Sequence, residues 1–270
     1  MKKTIDSIMA KKMLGEKITM LTCYDYPTAV IQEQAGIDII FVGDSVGTNM
    51  LGYKNETEVT MDDILHHLKA VRRGVMNSFL LADMPYKSYE TCDIALNNAL
   101  LLIKAGAEAV KIEGQHEEIV RFLTSNKIDV IGHIGLTPQT HEKKMLKGKT
   151  FEQAKELFES AQSLQKAGVK LLVLEMVPEE VAKLISERLE IPTIGIGAGR
   201  YCDGQVQIIN DLLGMTSRKL RHVKEYENYK DSTYEAVRKY KDEVENLAFP
   251  EEDNIRNMDA DELSKFKGLF

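Results

Sequence analysis

The chain has 270 residues, of which 43% are hydrophobic and 29% charged, and its formal net charge is −7. This ordinary composition excludes a disordered or fibrous protein, and the length allows a single α/β barrel domain. The excess of acidic residues disfavours binding to nucleic acid or to an anionic membrane. The sequence contains no apolar run near the roughly 18 residues of a membrane span and no signal-peptide pattern. Its three cysteines, Cys23, Cys92 and Cys202, are far apart. Such an odd, scattered set is typical of a reducing compartment, so we expect a cytoplasmic protein.

Short apolar runs of four to six residues predict the strands. Each run is rich in Ile, Val, Leu or Phe and is bounded by Gly, Pro or Asp. Their nearly continuous apolar character favours parallel strands that are covered on both faces. We predict strands at 18–22, 38–42, 79–82, 108–112, 129–133, 171–175, 192–196 and, with the weakest pattern, 206–209.

Helical patterns separate these runs and carry clear start and stop signals. Thr150 with Gln153 predicts a capping box before an apolar stripe that ends at Gly168, and Thr60 with Asp63 predicts a second one. Strands that alternate with helices in this way predict a (β/α)₈ TIM barrel over residues 1–225. A doubly wound sheet is the main alternative, because periodicity cannot detect closure of the barrel.

The pattern changes at Tyr226. Apolar residues at three- and four-residue spacing, from Tyr229 to Leu247, predict a long terminal helix, and the chain after Pro250 is polar. We therefore expect residues 226–270 to form a helix and a polar tail that pack on the barrel or on a neighbouring subunit.

Three predicted strands are followed by a carboxylate, namely Asp44, Asp83 and Glu113. The carboxyl ends of barrel strands meet at one face, where active sites lie. Oxygen-only acidic ligands suit a hard cation such as Mg²⁺. Single acidic residues at strand ends often only begin loops or cap helices, but three on successive strands favour a metal site.

Lys111 and Ser45 flank this acidic set. Lys111 lies two residues before Glu113, so both side chains share one side of the strand. A lysine inside a barrel needs a charge partner, so Lys111 either neutralises the carboxylates or holds an anionic substrate. Ser45 could donate to the same anion, although a serine here is also typical of a loop or helix cap.

A general base has three candidates. Glu179 and Glu180 follow the sixth predicted strand, where the helix dipole alone would explain both acidic residues. His133 ends the fifth strand, where a histidine bonded within the core is the simpler interpretation. The glycines at 195–199 could cradle a phosphate, but tight turns explain them as well.

Several segments together resemble the ketopantoate hydroxymethyltransferase family. They include "DIIFVGDSVGTNMLGY" at 38–53, "LLADMPYKSY" at 80–89, "AGAEAVKIEG" at 105–114, "IGHIGLTPQ" at 131–139 and "LLVLEMVPEEVAK" at 171–183. The resemblance covers residues 1 to about 249 in order. Two segments depart from the family pattern: 140–148, which is shorter than the usual glycine-rich stretch, and the polar tail after Pro250.

The resemblance implies a (β/α)₈ barrel that binds Mg²⁺ through Asp44, Asp83 and Glu113. It implies Ser45 and Lys111 as contacts to the carboxylate of a keto acid, with Asp44 and Asp83 also at the substrate. Glu180 aligns with the family's general base, whereas Glu179 falls on a variable position.

The implied reaction transfers a hydroxymethyl group from 5,10-methylenetetrahydrofolate to 2-oxoisovalerate (3-methyl-2-oxobutanoate) and gives ketopantoate, the first step of pantothenate synthesis. The resemblance also implies a homo-oligomer, a decamer of two stacked pentamers. The enzyme alternative is the phosphoenolpyruvate mutase/isocitrate lyase group, whose lyases carry a "KKCGH" loop that this sequence lacks. The non-enzyme alternative is a barrel that binds a metal or keto acid without turnover.

Overall fold

A computed structural model describes residues 2–139, 145–216 and 220–270 of the chain. In these residues, parallel strands form a closed barrel in chain order, and the last strand pairs with the first. Closure confirms the predicted (β/α)₈ barrel and excludes the doubly wound sheet. The strands are β1 Ile18–Thr22, β2 Ile39–Val42, β3 Phe79–Asp83, β4 Ala109–Glu113, β5 Val130–Gly135, β6 Leu171–Glu175, β7 Thr193–Ile196 and β8 Gly204–Gln207.

Helices surround the barrel and begin largely where the sequence predicts. Thr60 accepts a hydrogen bond from the Asp63 N–H, and the Asp63 side chain accepts from the Thr60 N–H, so the predicted capping box is present. Thr150 caps its helix through the Gln153 N–H, but the Gln153 side chain accepts from Lys149 instead. The helices are α1 Ile5–Leu14, α2 Tyr26–Gln34, α3 Met61–Gly74, α4 Cys92–Ala105, α5 Glu117–Ser125, α6 Phe151–Ala167, α7 Glu179–Arg188, α8 Ile209–Leu212, α9 Tyr229–Glu245 and α10 Ala260–Lys267.

The predicted bounds of the last strand are wrong by two residues. β8 begins at Gly204, and Ile209 instead starts α8, with its N–H donated to Thr22 Oγ1. A Cβ at position 204 would collide with the Ile18 carbonyl and the Ile194 side chain. Glycine therefore allows β8 to lie close to its neighbours.

Every second residue of the strands points into the barrel and fills its interior. Phe79 and Leu81 of β3 point inward, as do Leu171 and Val173 of β6, and Ile8 of α1 packs below them. Side chains alternate along a strand, and on β3 to β6 the last inward-facing position, at the carboxyl end, is polar. The inward-facing columns therefore end in Asp83 on β3, Glu113 on β4, His133 on β5 and Glu175 on β6.

The C-terminal region has little contact with the barrel. Backbone hydrogen bonds from Tyr226 to Leu212 and from Tyr229 to Leu213 fix its start at the end of α8. Beyond this point the apolar stripe of α9 is exposed, including Val237 and other large side chains on the helix. None of the helices in the described parts of the chain combines the length and apolar character of a membrane span.

Candidate active site

A cavity at the carboxyl ends of the strands contains most of the residues that the sequence singled out. It is lined from all eight strands or the residues just after them, and it is polar on one side and apolar on the other. Its polar lining includes Thr22, Asp44, Ser45, Glu56, Asp83, Lys111, Glu113, His133 and Glu175.

The three predicted carboxylates lie together in this cavity. Asp44 follows β2, and Asp83 and Glu113 are the last residues of β3 and β4. All three are buried. The backbone N–H of Asp44 donates to Asp83 Oδ2 at 2.9 Å, which holds the Asp83 carboxylate beside the Asp44 backbone. The sequence-based grouping of these residues is thus matched by the geometry.

Lys111 lies between two of the carboxylates. Its Nζ is 2.6 Å from Asp83 Oδ1 and 3.7 Å from Glu113 Oε1, and it lies 5.5 Å from the centre of the Phe41 ring. Burial opposes the charged ammonium, but Asp83 and Glu113 outweigh it and raise the pKa of Lys111 above its ordinary value. Lys111 is therefore a charged counter-ion, and its ammonium can also serve an anionic ligand in the cavity.

The carboxylates keep an excess of negative charge despite Lys111. Burial raises the pKa of Asp44 well above its ordinary value, and the neighbouring charges of Asp83 and Glu113 raise it further. Burial also raises the pKa of Asp83, although Lys111 opposes this. Such pKa values mean that the protein by itself stabilises these anions poorly, which is typical of functional sites.

His133 and Glu175 extend the polar wall across β5 and β6. His133 Nδ1 is 3.2 Å from Glu113 Oε1, and Nε2 is 3.3 Å from Glu175 Oε2, without the alignment of a hydrogen bond. Burial opposes the charge on His133, but Glu113 outweighs it and raises the pKa of His133 to about 9. Despite burial, His133 and Lys111 lower the pKa of Glu113 to about 2. His133 therefore acts as a second cation in the site.

Sequence reasoning missed Glu175, Tyr24 and Gln139. Glu175 ends its strand in a carboxylate, so the rule that found the other three would have found it too. Tyr24 is a hydrogen-bond partner of Ser45, with 2.8 Å between Oη and Oγ. Gln139 donates to Asp44, and no local pattern marks it apart from its place in the "LTPQ" motif.

Glu179 and Glu180 lie outside the described cavity. Both begin α7, where Glu180 is exposed and Glu179 pairs with Arg200 through both carboxylate oxygens, at 3.0 and 3.2 Å. The turn after β7 brings Gly199 against Glu179, with φ of +78° at the glycine. The glycines at 195–199 thus serve a tight turn. Residues 140–144 of the shortened segment lie outside the described residues.

The acidic cluster fits a divalent cation by charge and donor chemistry. Four carboxylates, those of Asp44, Asp83, Glu113 and Glu175, share the cavity with two cations, Lys111 and His133, so a dication would balance charge that the side chains leave uncompensated. Within the described ranges, no three His, Cys, Asp or Glu side chains already surround one point as ligands. Mg²⁺ does not need such a cage, because it commonly uses one or two carboxylates and keeps waters and substrate oxygens.

Comparison with known proteins decides the family. The model of the ketopantoate hydroxymethyltransferase family matches residues 2–252. The chain belongs to this family. It is 47% identical over 278 aligned positions to the 3-methyl-2-oxobutanoate hydroxymethyltransferase of Acetivibrio thermocellus, with 98% of this chain and 97% of that protein covered. It is 49% identical to the enzyme of the same name from Thermotoga neapolitana, over 91% of this chain and 94% of that protein. Family membership makes this chain a transferase.

Solved structures with the same fold include members of the alternative enzyme group. Phosphonopyruvate hydrolase, in a complex with oxalate and Mg²⁺, superposes with a TM-score of 0.63 and 12% identity over 98% of this chain and 95% of that one. The 2,3-dimethylmalate lyase of the phosphoenolpyruvate mutase/isocitrate lyase superfamily superposes with a TM-score of 0.60 and 14% identity, over 100% and 99% of the two chains. At such identities the likeness shows a shared barrel fold alone.

Proposed function

We propose that this chain transfers a hydroxymethyl group from 5,10-methylenetetrahydrofolate to 3-methyl-2-oxobutanoate. Water supplies the hydroxyl oxygen, the products are ketopantoate and tetrahydrofolate, and the reaction is the first step of pantothenate synthesis. Family membership supports the reaction, and one structural observation supports its location: buried Asp44, Asp83 and Glu113 surround Lys111 at the carboxyl ends of the strands. Active sites of (β/α)₈ barrels lie at this face.

The cluster would hold Mg²⁺ through oxygens of Asp44, Asp83 and Glu113. When bound, the cation supplies a Lewis acid that polarises the keto group and makes the C3 proton of the substrate more acidic. The keto acid would lie in the same cavity, next to Asp44 and Asp83. Its isopropyl group would face the apolar side, formed by Val173, Ile196 and Val206 among others.

Lys111 and Ser45 would bind the substrate carboxylate. The raised pKa of Lys111, which its acidic neighbours cause despite burial, keeps the ammonium charged at neutral pH. Ser45 lines the cavity, and its hydrogen bond with Tyr24 fixes the hydroxyl. These two groups would therefore orient the keto acid with its C3 atom away from the metal ligands.

Glu180 would remove the C3 proton as the general base. The alignment with the family motif supports this role, and the structure adds that the neighbouring Glu179 is already engaged by Arg200. Glu180 is exposed in the first turn of α7, so the role requires the substrate complex to bring the reacting atoms to it. Apo geometry is a weak argument against a base, because catalytic hydrogen bonds often form only in the complex.

A pair of matched variants tests the base. Glu180→Gln keeps shape and polarity, so Mg²⁺ and keto-acid binding should persist while turnover falls about 10²–10⁴-fold. Exchange of the C3 proton with deuterated water, which needs no folate, should fall with it. Glu179→Gln is the control and should leave exchange unchanged. If exchange vanishes only in Glu179→Gln, the general base is Glu179 instead of Glu180. If exchange survives both changes, the general base is a residue other than these two glutamates.

The activity itself is tested with purified protein. Incubation with 3-methyl-2-oxobutanoate, 5,10-methylenetetrahydrofolate and Mg²⁺ should produce ketopantoate, which mass spectrometry detects. EDTA should stop the reaction and added Mg²⁺ should restore it. Turnover that is indifferent to EDTA would contradict the role of the three carboxylates, and absence of turnover under all conditions would favour a binding protein.

Residues 226–270 would serve assembly of a homo-oligomer, a decamer by resemblance. The apolar stripe of α9 is exposed, and an exposed stripe of this kind is typical of a subunit contact. Light scattering should show an oligomer at micromolar concentration. Val237→Asp should reduce its size, whereas Lys239→Asp on the polar face should not. A monomeric wild-type protein would refute the assembly.

The cytoplasm is the proposed location. The three cysteines are free thiols in the structure, and two of them, Cys23 and Cys202, are buried. Unpaired buried thiols of this kind are typical of proteins in reducing compartments.

A further inference from the structure

Gln139 connects the ends of three strands through one side chain and one backbone group. It follows β5 and is buried. Its side-chain Nε2 donates to Asp44 Oδ2 at 2.8 Å and to the Met84 carbonyl at 3.1 Å. Its backbone N–H donates to Glu113 Oε2 at 3.1 Å. A single residue thus contacts two of the three carboxylates and the backbone just beyond the third.

The orientation of the Gln139 amide follows from its partners. The Met84 carbonyl can only accept, so the NH₂ group must face it and Asp44. The Gln139 Oε1 atom then faces the opposite way, where the buried Tyr89 hydroxyl donates to it. Tyr89 therefore opposes rotation of the amide. A flipped amide would place two oxygens against each other at both Asp44 and Met84.

We propose that Gln139 is a positioning residue of the metal site, and that Tyr89 fixes its amide. The inference rests on the proposed binding of Mg²⁺ by Asp44, Asp83 and Glu113. Gln139 holds Asp44 through Oδ2, so that the orientation of this carboxylate is set before a cation binds. Its backbone N–H does the same for Glu113 through Oε2. Gln139 touches the ligands and is not itself a ligand or a reacting group.

The neutral amide suits this task better than a charged donor. Lys111 already supplies one positive charge to the cluster, and a second ammonium at Asp44 would compete with the cation for the same carboxylate. An amide donates hydrogen bonds without adding net charge. Partners of this kind around metal ligands typically affect metal affinity or activity by about 10–100-fold.

Gln139→Met tests the proposal because it keeps the length and volume of the side chain and removes only the amide. The backbone contact to Glu113 remains in this variant. Binding of Mn²⁺, followed by the loss of the free-ion signal in electron paramagnetic resonance, should weaken about 10–100-fold. Tyr89→Phe, which keeps the amide but frees its rotation, should weaken binding by a smaller factor. Raised metal concentration should restore kcat in both variants.

Ser186→Ala is the matched control, because it removes a buried hydroxyl that bonds to Ala182 and Thr193 at the opposite end of the barrel. It should leave Mn²⁺ affinity unchanged. Affinity within twofold of wild type in both Gln139→Met and Tyr89→Phe would overturn the inference while leaving the metal site intact. Absence of Mn²⁺ binding in the wild-type protein would instead refute the metal site, and the inference with it. If Gln139→Met does not fold, Tyr89→Phe alone decides.

Discussion

The two ends of β2 carry aspartates that are buried to a similar extent but have opposite electrostatic surroundings. Asp38 precedes the strand and is 4% exposed, and Asp44 follows it and is 6% exposed. Asp38 pairs with Lys3 at 2.9 Å and with Lys11 at 2.7 Å. Burial disfavours its charge, but these lysines and Thr19 outweigh burial and lower its pKa to about 2. At Asp44, burial and the neighbouring carboxylates act in the same direction and raise the pKa.

The difference separates stability from function within one barrel. At the amino end of the strands, acidic groups meet cations from α1, such as Lys12 with Asp203 at 2.8 Å, so these charges hold the helix against the barrel. At the carboxyl end, acidic residues outnumber cations, and the fold tolerates this at a cost in stability. Such a cost is typical of active sites, because a site arranged for a ligand is not optimised for the ligand-free fold.

The largest expected effect separates activity from stability at the carboxyl end. Asp44→Asn should reduce turnover by roughly 10³-fold or more, because it removes a proposed ligand of the cation that we propose polarises the substrate. The same change removes repulsion with Asp83, so the free energy of unfolding without metal should stay equal or rise. Urea unfolding in EDTA, beside the ketopantoate assay, measures both. A large loss of stability without metal would contradict the claim that the excess of acidic residues at the carboxyl end costs stability.

The next largest effect is expected at the amino end of β2, where a substitution should lower stability and leave activity unchanged. Asp38→Asn should lower the free energy of unfolding by about 1–3 kcal/mol, because Lys3 and Lys11 lose their anionic partner. Turnover per folded molecule should not change, since Asp38 precedes β2 and does not line the cavity at the carboxyl ends of the strands. Urea unfolding at neutral pH measures the loss, and activity that falls with stability intact would contradict the separation.

The pH dependence of stability gives an independent check on Asp38. Its folded pKa of about 2 lies below its unfolded value, so the carboxylate stabilises the fold above roughly pH 4. This contribution should be lost as the pH falls from about 4 to 2. The Asp38→Asn protein should show a shallower loss of stability over that window than the wild type. Equal slopes would mean that the lysine pairs do not stabilise the fold.

The smallest expected effect lies at the exposed edge of the same end. Lys2 pairs with Glu108 at 2.6 Å, but the two side chains are 36% and 26% exposed. Lys2→Met should therefore change stability by about 0.5 kcal/mol or less, because solvent and salt screen exposed ion pairs. A change as large as that of Asp38→Asn would show that the contribution of an ion pair to stability does not increase with its burial.

Several residues of the site were predictable from the sequence because their positions depend on local pattern. Strand period two and strand-end position located Asp44, Asp83, Lys111 and Glu113. The start of β8 at Gly204 was not predictable, because it depends on the close approach of Gly204 to a strand nearly 190 residues earlier in the chain. The contacts of Gln139 also arise only when four strand ends come together, so periodicity could not reveal them.

The same local pattern, a carboxylate at the end of a strand, also marks Glu175. Glu175 ends β6 as the other carboxylates end their strands, but it was not among the residues predicted for the site. For Glu180, the family alignment remains the main support, since the structure places it on the exposed first turn of α7. The role of a residue that reacts only in a substrate complex depends on a ligand, and neither sequence period nor apo packing contains that information.

The most direct test of a divalent-cation site at the carboxyl ends of the strands is the melting temperature as a function of Mg²⁺ concentration in three proteins. A ligand that binds only the folded state raises the melting temperature as its concentration increases. The wild-type protein and Asp38→Asn should show the same Mg²⁺-dependent rise from different starting temperatures, and Asp44→Asn should show little or none. An equal rise in all three proteins, or no rise in the wild type, would contradict the assignment of the carboxyl-end carboxylates to a divalent cation.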